Sequence, residues 1–491
     1  MDYLDPRQRR RHTILLFSGY VLIAIAIFIA TFVLLYQADG FGIDTKGAVI
    51  QNGLVFVSSQ PRPATVLVNG KPQDAKTNTR FALPEATYSL QLQRDGYEAW
   101  QRQIAVEGGQ VVHYDYPFLV PKSIKSTNLA PYASTPTVFS QSPDKRWLVV
   151  GQPANFMAFD VYDLKNPSKI PVVISLPPAI VTAAKTSQSW QNLEWADDSQ
   201  HLVLQHAYDD SAEYILLDRQ SPDQSVNLSQ MLTLKAQKLS LIDRKYDRYY
   251  LYDAASLLLS QATFKNPVPS EVLHGVINFQ AYGSDTLLYV TAVGASSGKV
   301  RIELKTSDRN YTIRSVAANT TYPLEITQYN NTFYVVAGAS SENKVYIYRD
   351  PAGQIGSDFF TAPTPLQVLG VTKPNFVNFS SNAQYIMVEN GAQFSVYDIE
   401  YKHSYNYTVK QALDSPQVHA TWMDSSRLSY VSQGQQVIFD YDYQNQHRLG
   451  KADGQFKPVF APDYKYSYTF SSKASPQPAV LQTGLLIPSE L

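Results

Sequence analysis

Between Lys122 and Leu491 one motif recurs: an apolar strand, a short polar turn and a second apolar strand. The clearest copies are FSQSPDKRWLVVG from Phe139, LEWADDSQHLVLQ from Leu193, VNFSSNAQYIMVE from Val377, ATWMDSSRLSYVS from Ala420 and PVFAPDYKYSYTF from Pro458. Weaker copies begin at Ser240, Phe279 and Ile326. With the turns marked at Ser142, Ala196, Asp243, Gly283, Tyr329, Ser380, Met423 and Ala461, successive copies lie 38 to 54 residues apart. The apolar positions alternate, as in strands. An all-strand unit repeating every 40–50 residues or so has the period of β-propeller blades.

A third strand follows most pairs, as in MAFDVYDL from Met157, AEYILLDRQ from Ala212 and FSVYDIE from Phe394. The unit is therefore two strands, a hairpin and a third strand, with a fourth, outer strand in the long connection. Eight turns imply eight blades, with seven as the alternative because the copy at Asp243 is the weakest. The last copy has room for only three strands, so a segment near Ser123 to Leu129 is expected to supply the fourth and close the ring, leaving no free edge. SPDKRWLVV resembles the WD40-like blades of the Tol-system periplasmic propeller.

At the amino terminus, Arg7, Arg9, Arg10 and Arg11 precede an uncharged run from Thr13 to Tyr36. As a helix rising about 1.5 Å per residue, this run spans a bilayer core of roughly 30 Å. It exceeds the usual signal-peptide core and no A-x-A cleavage site follows, so a retained single-pass anchor is expected. The arginines place residues 1–12 in the cytoplasm and everything after Tyr36 outside. Without residues 1–36 the chain carries 37 basic and 40 acidic residues, a balance that draws in neither nucleic acid nor acidic lipid. There is no cysteine, which excludes disulfides, thiolate metal sites and cysteine catalysis.

After a linker at 37–53, residues 54–121 alternate as half-buried strands, with a type I′ hairpin dipeptide at Asn69-Gly70 and turns at Asp95-Gly96 and Gly108-Gly109. SSQPRPATVLVNG (Ser58 to Gly70), LPEATYSLQLQRDGYEAW (Leu83 to Trp100) and VEGGQVVHYDYPFLV resemble the PEGA domain, a small β-sandwich of microbial surface proteins. Pro63 and Ala86 stand where that family usually has glycine. The resemblance implies a spacer or adhesive module and no catalysis. The expected architecture is an all-β ectodomain, sandwich plus propeller at 122–491, on one transmembrane helix.

GASSG, Gly294 to Gly298, matches the G-x-S-x-G nucleophile elbow, but that motif needs a helix after the serine, and the strand KVRIEL follows here. Ser296 and Ser340 also lie 44 residues apart, one repeat period, so Ser296 reads as a turn residue. His201, His206, Asp209 and Asp210 form the one cluster with ligand-like spacing, better read as a strand and its turn. Asp144, Asp197 and Asp198 read as turn-stabilising. No cofactor motif is present. The run DRKYDRYYLYD, with Tyr246, Tyr249, Tyr250 and Tyr252, offers aromatics that could stack on sugars or anchor a partner if exposed; as a blade strand it would turn half of them toward a neighbouring blade. The N-x-S/T sequons, such as Asn227 and Asn310, read as coincidental in a prokaryotic setting.

The expected function is envelope binding or scaffolding, with an envelope protein or cell-wall glycan as partner and no enzyme activity. An extracytoplasmic polysaccharide hydrolase or lyase, acting at the propeller channel, is the alternative.

Overall fold

The computed structural model describes residues 6–38, 41–43, 49–233, 238–307, 309–357, 362–471 and 479–488. The chain divides into two compact units, Met1–Ser123 and Ile124–Leu491.

The first unit begins with one helix, Pro6–Ala38. Within it Arg10–Tyr36 is long and apolar enough to cross a membrane, and none of its apolar core is buried by the rest of the protein. A four-stranded sheet of Phe41–Ile43, Val49–Val57, Thr79–Pro84 and Val111–Tyr114 follows, the last running parallel to Val49–Val57. Residues 49–53, read as linker from the sequence, are thus the first half of a strand. The second sheet contains Lys71–Lys76, Thr65–Val68, Ala86–Gln93 and Trp100–Val106, in that order. The alternation seen in the sequence is the alternation of burial: Val66, Val68, Leu90, Leu92, Trp100 and Ile104 form a shared core with Val55 and Val57. Asn69 and Gly70, both at positive φ (49° and 75°), make the tight turn between the paired residues Val68 and Lys71.

The second unit contains, among the described residues, eight four-stranded antiparallel sheets, seven of them in sequence order from first strand to last. Blades 1 to 8 start at Phe139, Gln188, Lys238, Val276, Leu324, Phe376, Thr421 and Val459. Blade 8 takes its outer strand from the other end of the unit: Lys125–Tyr132 pairs with Ala479–Leu485, Lys125 opposite Leu485 and Tyr132 opposite Ala479. The eight-bladed, end-closed reading of the repeats is the one the fold adopts.

Sequence chemistry explains the turns between first and second strands. In blades 1, 2, 6 and 8 the marker residue's carbonyl accepts from the amide three residues on, at 2.8–3.1 Å: Ser142 from Lys145, Ala196 from Ser199, Ser380 from Ala383, Ala461 from Tyr464. That third residue is left-handed each time (φ 55–60°). An Asp or Asn two residues after the marker accepts from following backbone amides, as Asp144 does from Arg146 and Asp198 from Gln200 and His201.

Apolar seams join neighbouring sheets, and the abundance of tyrosine is used there. Trp190 packs between blades 1 and 2, Tyr249 between 2 and 3, and Tyr250 and Tyr252 between 3 and 4. Tyr348 lies in the seam of blades 4 and 5. Tyr468 and Phe470 meet Leu148 and Tyr162 where blade 8 returns to blade 1.

Candidate functional site in the channel between the first strands

In a closed propeller the first strands surround the axis, and side chains from several blades meet there. Two cavities of about 590 and 580 Å³ are lined by these strands and their turns, the first by blades 2 to 5 and the second by blades 1, 2, 7 and 8. Both sizes are in the range of small-molecule sites.

The first cavity is rich in carboxylates. Glu194 accepts from the amide of Leu241 at 2.9 Å and the hydroxyl of Ser240 at 3.1 Å. Glu325 accepts from the Gln280 carboxamide at 3.2 Å and the Ile326 amide at 3.1 Å. Enclosure by protein raises both acids, Glu325 to about 7 and Glu194 in the same direction against its hydrogen bonds. Lys238 sits 4.9 Å from the centre of the Phe279 ring, its ammonium pKa lowered by the same enclosure despite the nearby Glu194. At the turns, Arg244 Nε meets Asp197 Oδ1 at 3.0 Å.

The second cavity carries lysine without carboxylate. Lys145 reaches from the turn of blade 1 to donate to the Met423 carbonyl in blade 7 at 2.6 Å and the Tyr464 hydroxyl in blade 8 at 3.2 Å. Gln141 Nε2 donates to the Phe460 carbonyl at 2.6 Å. Lys457, just before the first strand of blade 8, makes no hydrogen bond or ion pair among the described residues. Enclosure lowers the pKa of both lysines; for Lys145 the charge of Asp424 works against the shift, whereas for Lys457 nothing does.

The four tyrosines singled out from the sequence do not form a platform. Tyr249, Tyr250 and Tyr252 are 0%, 2% and 8% exposed, because Arg248–Asp253 is the second strand of blade 3 and alternates its side chains into the two adjoining seams. Only Tyr246 reaches solvent, 39% exposed and stacked on His201 with ring centres 3.9 Å apart. The expectation of an exposed stacking surface is therefore corrected: three of the four rings are seam fillers.

The other motifs resolve as turns and strands. GASSG connects strands Thr286–Thr291 and Lys299–Lys305, with Gly294 and Gly298 at positive φ and the Ser296 carbonyl accepting from the Lys299 amide at 3.0 Å. Its repeat counterpart Ser340 is buried between blades, accepting from the Thr321 hydroxyl at 2.8 Å. His201 bonds Asp198 at 2.6 Å, and the fully buried His206 bonds Glu213 at 2.9 Å. Asp209, in the hairpin after the second strand of blade 2, instead accepts from the backbone amides of Lys185 and Thr186 ahead of that blade's first strand. Among the described residues no group of three or more His, Asp or Glu is placed to hold a metal.

The channel residues Glu194, Lys238, Glu325, Lys145 and Lys457 were not singled out from the sequence. Each is an ordinary charged residue near a strand start or a turn, and the one available signal is its shared place next to a repeat marker.

Residues 52–119 match the PEGA domain. Among solved structures, the Dos1 propeller is similar over 74% of this chain and 94% of its own, at 10% identity and a TM-score of 0.44. An oligogalacturonate lyase from Vibrio parahaemolyticus is similar over 74% and 98%, at 9% identity and 0.38. Hsv2 from Kluyveromyces lactis is similar over 72% and 100%, at 12% identity and 0.37. Likeness at these values carries nothing about what this chain binds. No curated protein sequence matches the chain.

Proposed function

We propose that this chain is a single-pass membrane protein whose propeller is an outward-facing recognition head for an envelope component, a protein or a cell-wall glycan. The PEGA domain serves as its stalk. The observation that carries the reading is the channel: charged side chains from five blades, Lys145, Glu194, Lys238, Glu325 and Lys457, converge on two cavities of ligand size. Strands hold Glu194, Lys238 and Glu325 in place, as recognition of a defined chemical group requires. The four arginines in the first turns of the helix, ahead of its apolar run, favour a cytoplasmic amino terminus, which would put the propeller outside.

The test is co-sedimentation of the full-length chain in nanodiscs with isolated cell walls, beside a crosslinking pull-down from membranes of the same cells. Wall binding or a reproducible envelope-protein partner supports the reading, and absence of both ends it.

One observation favours a second reading. Glu194 and Glu325 are two carboxyl groups of raised pKa in one cavity, and such groups suit acid–base cleavage of a polysaccharide. Turnover of wall polysaccharide that is lost in both Glu194→Gln and Glu325→Gln would establish this reading.

A further inference from the structure

We infer that the outward face of the first PEGA sheet docks on the phospholipid headgroups of the bilayer that holds the helix. This docking presupposes the reading of Arg10–Tyr36 as a retained anchor and gives the PEGA domain a second hold on the membrane. The two sheets of the domain share one core, so each has an inner and an outward face. The outward face of the second sheet is mostly polar, as is usual for a sheet that meets water. There Ser89 lies opposite Gln103 and Gln91 opposite Gln101, interrupted by Leu67. The first sheet departs from that pattern. On its central strand Leu54 lies between Ala82 and Val111, and Phe56 between Arg80 and His113. Val55 and Val57 point into the core, so this set points outward. Val111 is 53% exposed; Ala82, Arg80 and His113 are exposed, and Leu54 and Phe56 are half-buried. The His113 ring stacks on Phe56 with centres 4.6 Å apart, and the Arg80 guanidinium lies 5.9 Å from the centre of the same ring. Asp115, 3.6 Å from His113, stands at the edge of the set. A contiguous apolar strip on an outer face marks a contact surface.

The chain itself brings this strip to the bilayer. Tyr36, the last residue of the apolar stretch, stacks its ring at 4.5 Å on Phe41, the first residue of the same sheet. Phe41 pairs with Gln51 on the central strand. At about 3.3 Å per residue, Leu54 and Phe56 lie only about 10 and 17 Å further along that strand. The side chains suit the headgroup boundary, where aliphatic and aromatic groups enter the acyl edge and a guanidinium reaches phosphate. Arg80 makes no hydrogen bond or ion pair among the described residues, which leaves its donors to a lipid phosphate. The size of the strip also favours lipid over a soluble partner. Six side chains fall well short of the roughly 20–30 residues that each partner gives to a stable protein interface. A domain tethered to the membrane meets it at high effective concentration and needs far less.

The chain has no cysteine, so one introduced thiol can carry an environment-sensitive fluorophore. The full-length chain with Ala82→Cys, or with Gln103→Cys on the polar face, is labelled and reconstituted in liposomes of phosphatidylcholine and phosphatidylglycerol, with and without nitroxide-bearing lipid. Nitroxide should quench the probe at 82 about threefold or more above the probe at 103. Adding Phe56→Ser or Arg80→Gln to Ala82→Cys should cut that quenching at least about twofold, whereas adding Gln91→Ala on the other face should leave it unchanged. An unchanged circular dichroism spectrum and melting midpoint separate lost docking from lost fold. Should Phe56→Ser fail that check, the exposed Arg80→Gln decides. Equal quenching at 82 and 103, or quenching at 82 that survives both changes, overturns the docking. Self-quenching at 82 that rises with protein density without nitroxide assigns the face to a second copy of the chain and overturns it as well. An alkaline carbonate wash separates the two levels. If the chain leaves the membrane, the anchor reading falls; if it stays and position 82 is not quenched, the anchor stands and the docking alone falls.

Discussion

At the scale of single residues, the channel holds groups whose ionisation works against folding, and Glu325 is the clearest. Its pKa is raised from 4.5 to about 7 because the surrounding protein replaces water around the carboxylate faster than Gln280 and Ile326 compensate. The folded state therefore holds a proton that the unfolded chain has released between these values. Stability from this group is full below about pH 4.5 and is lost as pH rises through about 7. Glu325→Gln keeps the shape and the acceptor oxygen while removing the charge. It is expected to stabilise the propeller by about 1–3 kcal/mol at pH 8 and to be neutral near pH 4. Urea denaturation at the two pH values checks this, and an equal shift at both would mean that packing, not charge, is responsible. Such residues were illegible in the sequence for a physical reason: a glutamate in LEITQY looks like any exposed strand residue until seven other blades surround it. The tyrosines of DRKYDRYYLYD erred in the opposite sense, since a strand between two seams buries both of its faces and strict alternation no longer marks a solvent side.

At the scale of elements, the fold was legible wherever backbone chemistry repeats. The turn after the markers of blades 1, 2 and 6 needs a residue at positive φ and a side chain to accept its amides, and SPDK, ADDS and SSNA supply them at the same offset. A second recurring device passed unnoticed because it is one residue long. The third strands of blades 1, 2 and 6 end in Asp163, Asp218 and Asp398, each accepting from the backbone amides of the turn that follows. Ring closure was legible because a three-stranded last copy leaves an edge to fill. How the closing strand is fastened was not: Tyr132, at the end of Lys125–Tyr132, donates to Asp160 at 2.7 Å and lies 2.8 Å from the Tyr162 hydroxyl, tying blade 8 to the third strand of blade 1. Tyr132→Phe removes these bonds without opening a cavity and leaves the buried Asp160 with Gln152 as its side-chain partner. The expected loss is about 1–3 kcal/mol, read as a lowered urea midpoint with unchanged slope. An unchanged midpoint would show that sheet pairing alone closes the ring.

At the scale of the whole molecule, function depends on which side of a membrane the propeller occupies, and the chain offers its own means of finding out. It contains no cysteine, so a single introduced thiol is the only one to be labelled. Ser296 is exposed in the hairpin between two strands of blade 4 and its side chain is not part of any core, which makes Ser296→Cys a harmless reporter for the propeller. Asp5→Cys reports on the segment before the helix. The four arginines at positions 7, 9, 10 and 11 oppose translocation of that segment, since basic residues next to a first apolar helix stay in the cytoplasm. In intact cells a membrane-impermeant maleimide should label Ser296→Cys fully and Asp5→Cys only after permeabilisation. The reverse pattern would invert the topology and remove the propeller from any wall component. Loss of the Asp5→Cys band from the mature protein, with Ser296→Cys still labelled outside, would mean that the apolar run is cleaved. The propeller would then be released from the membrane, and the proposed role of the PEGA domain as a stalk would fall.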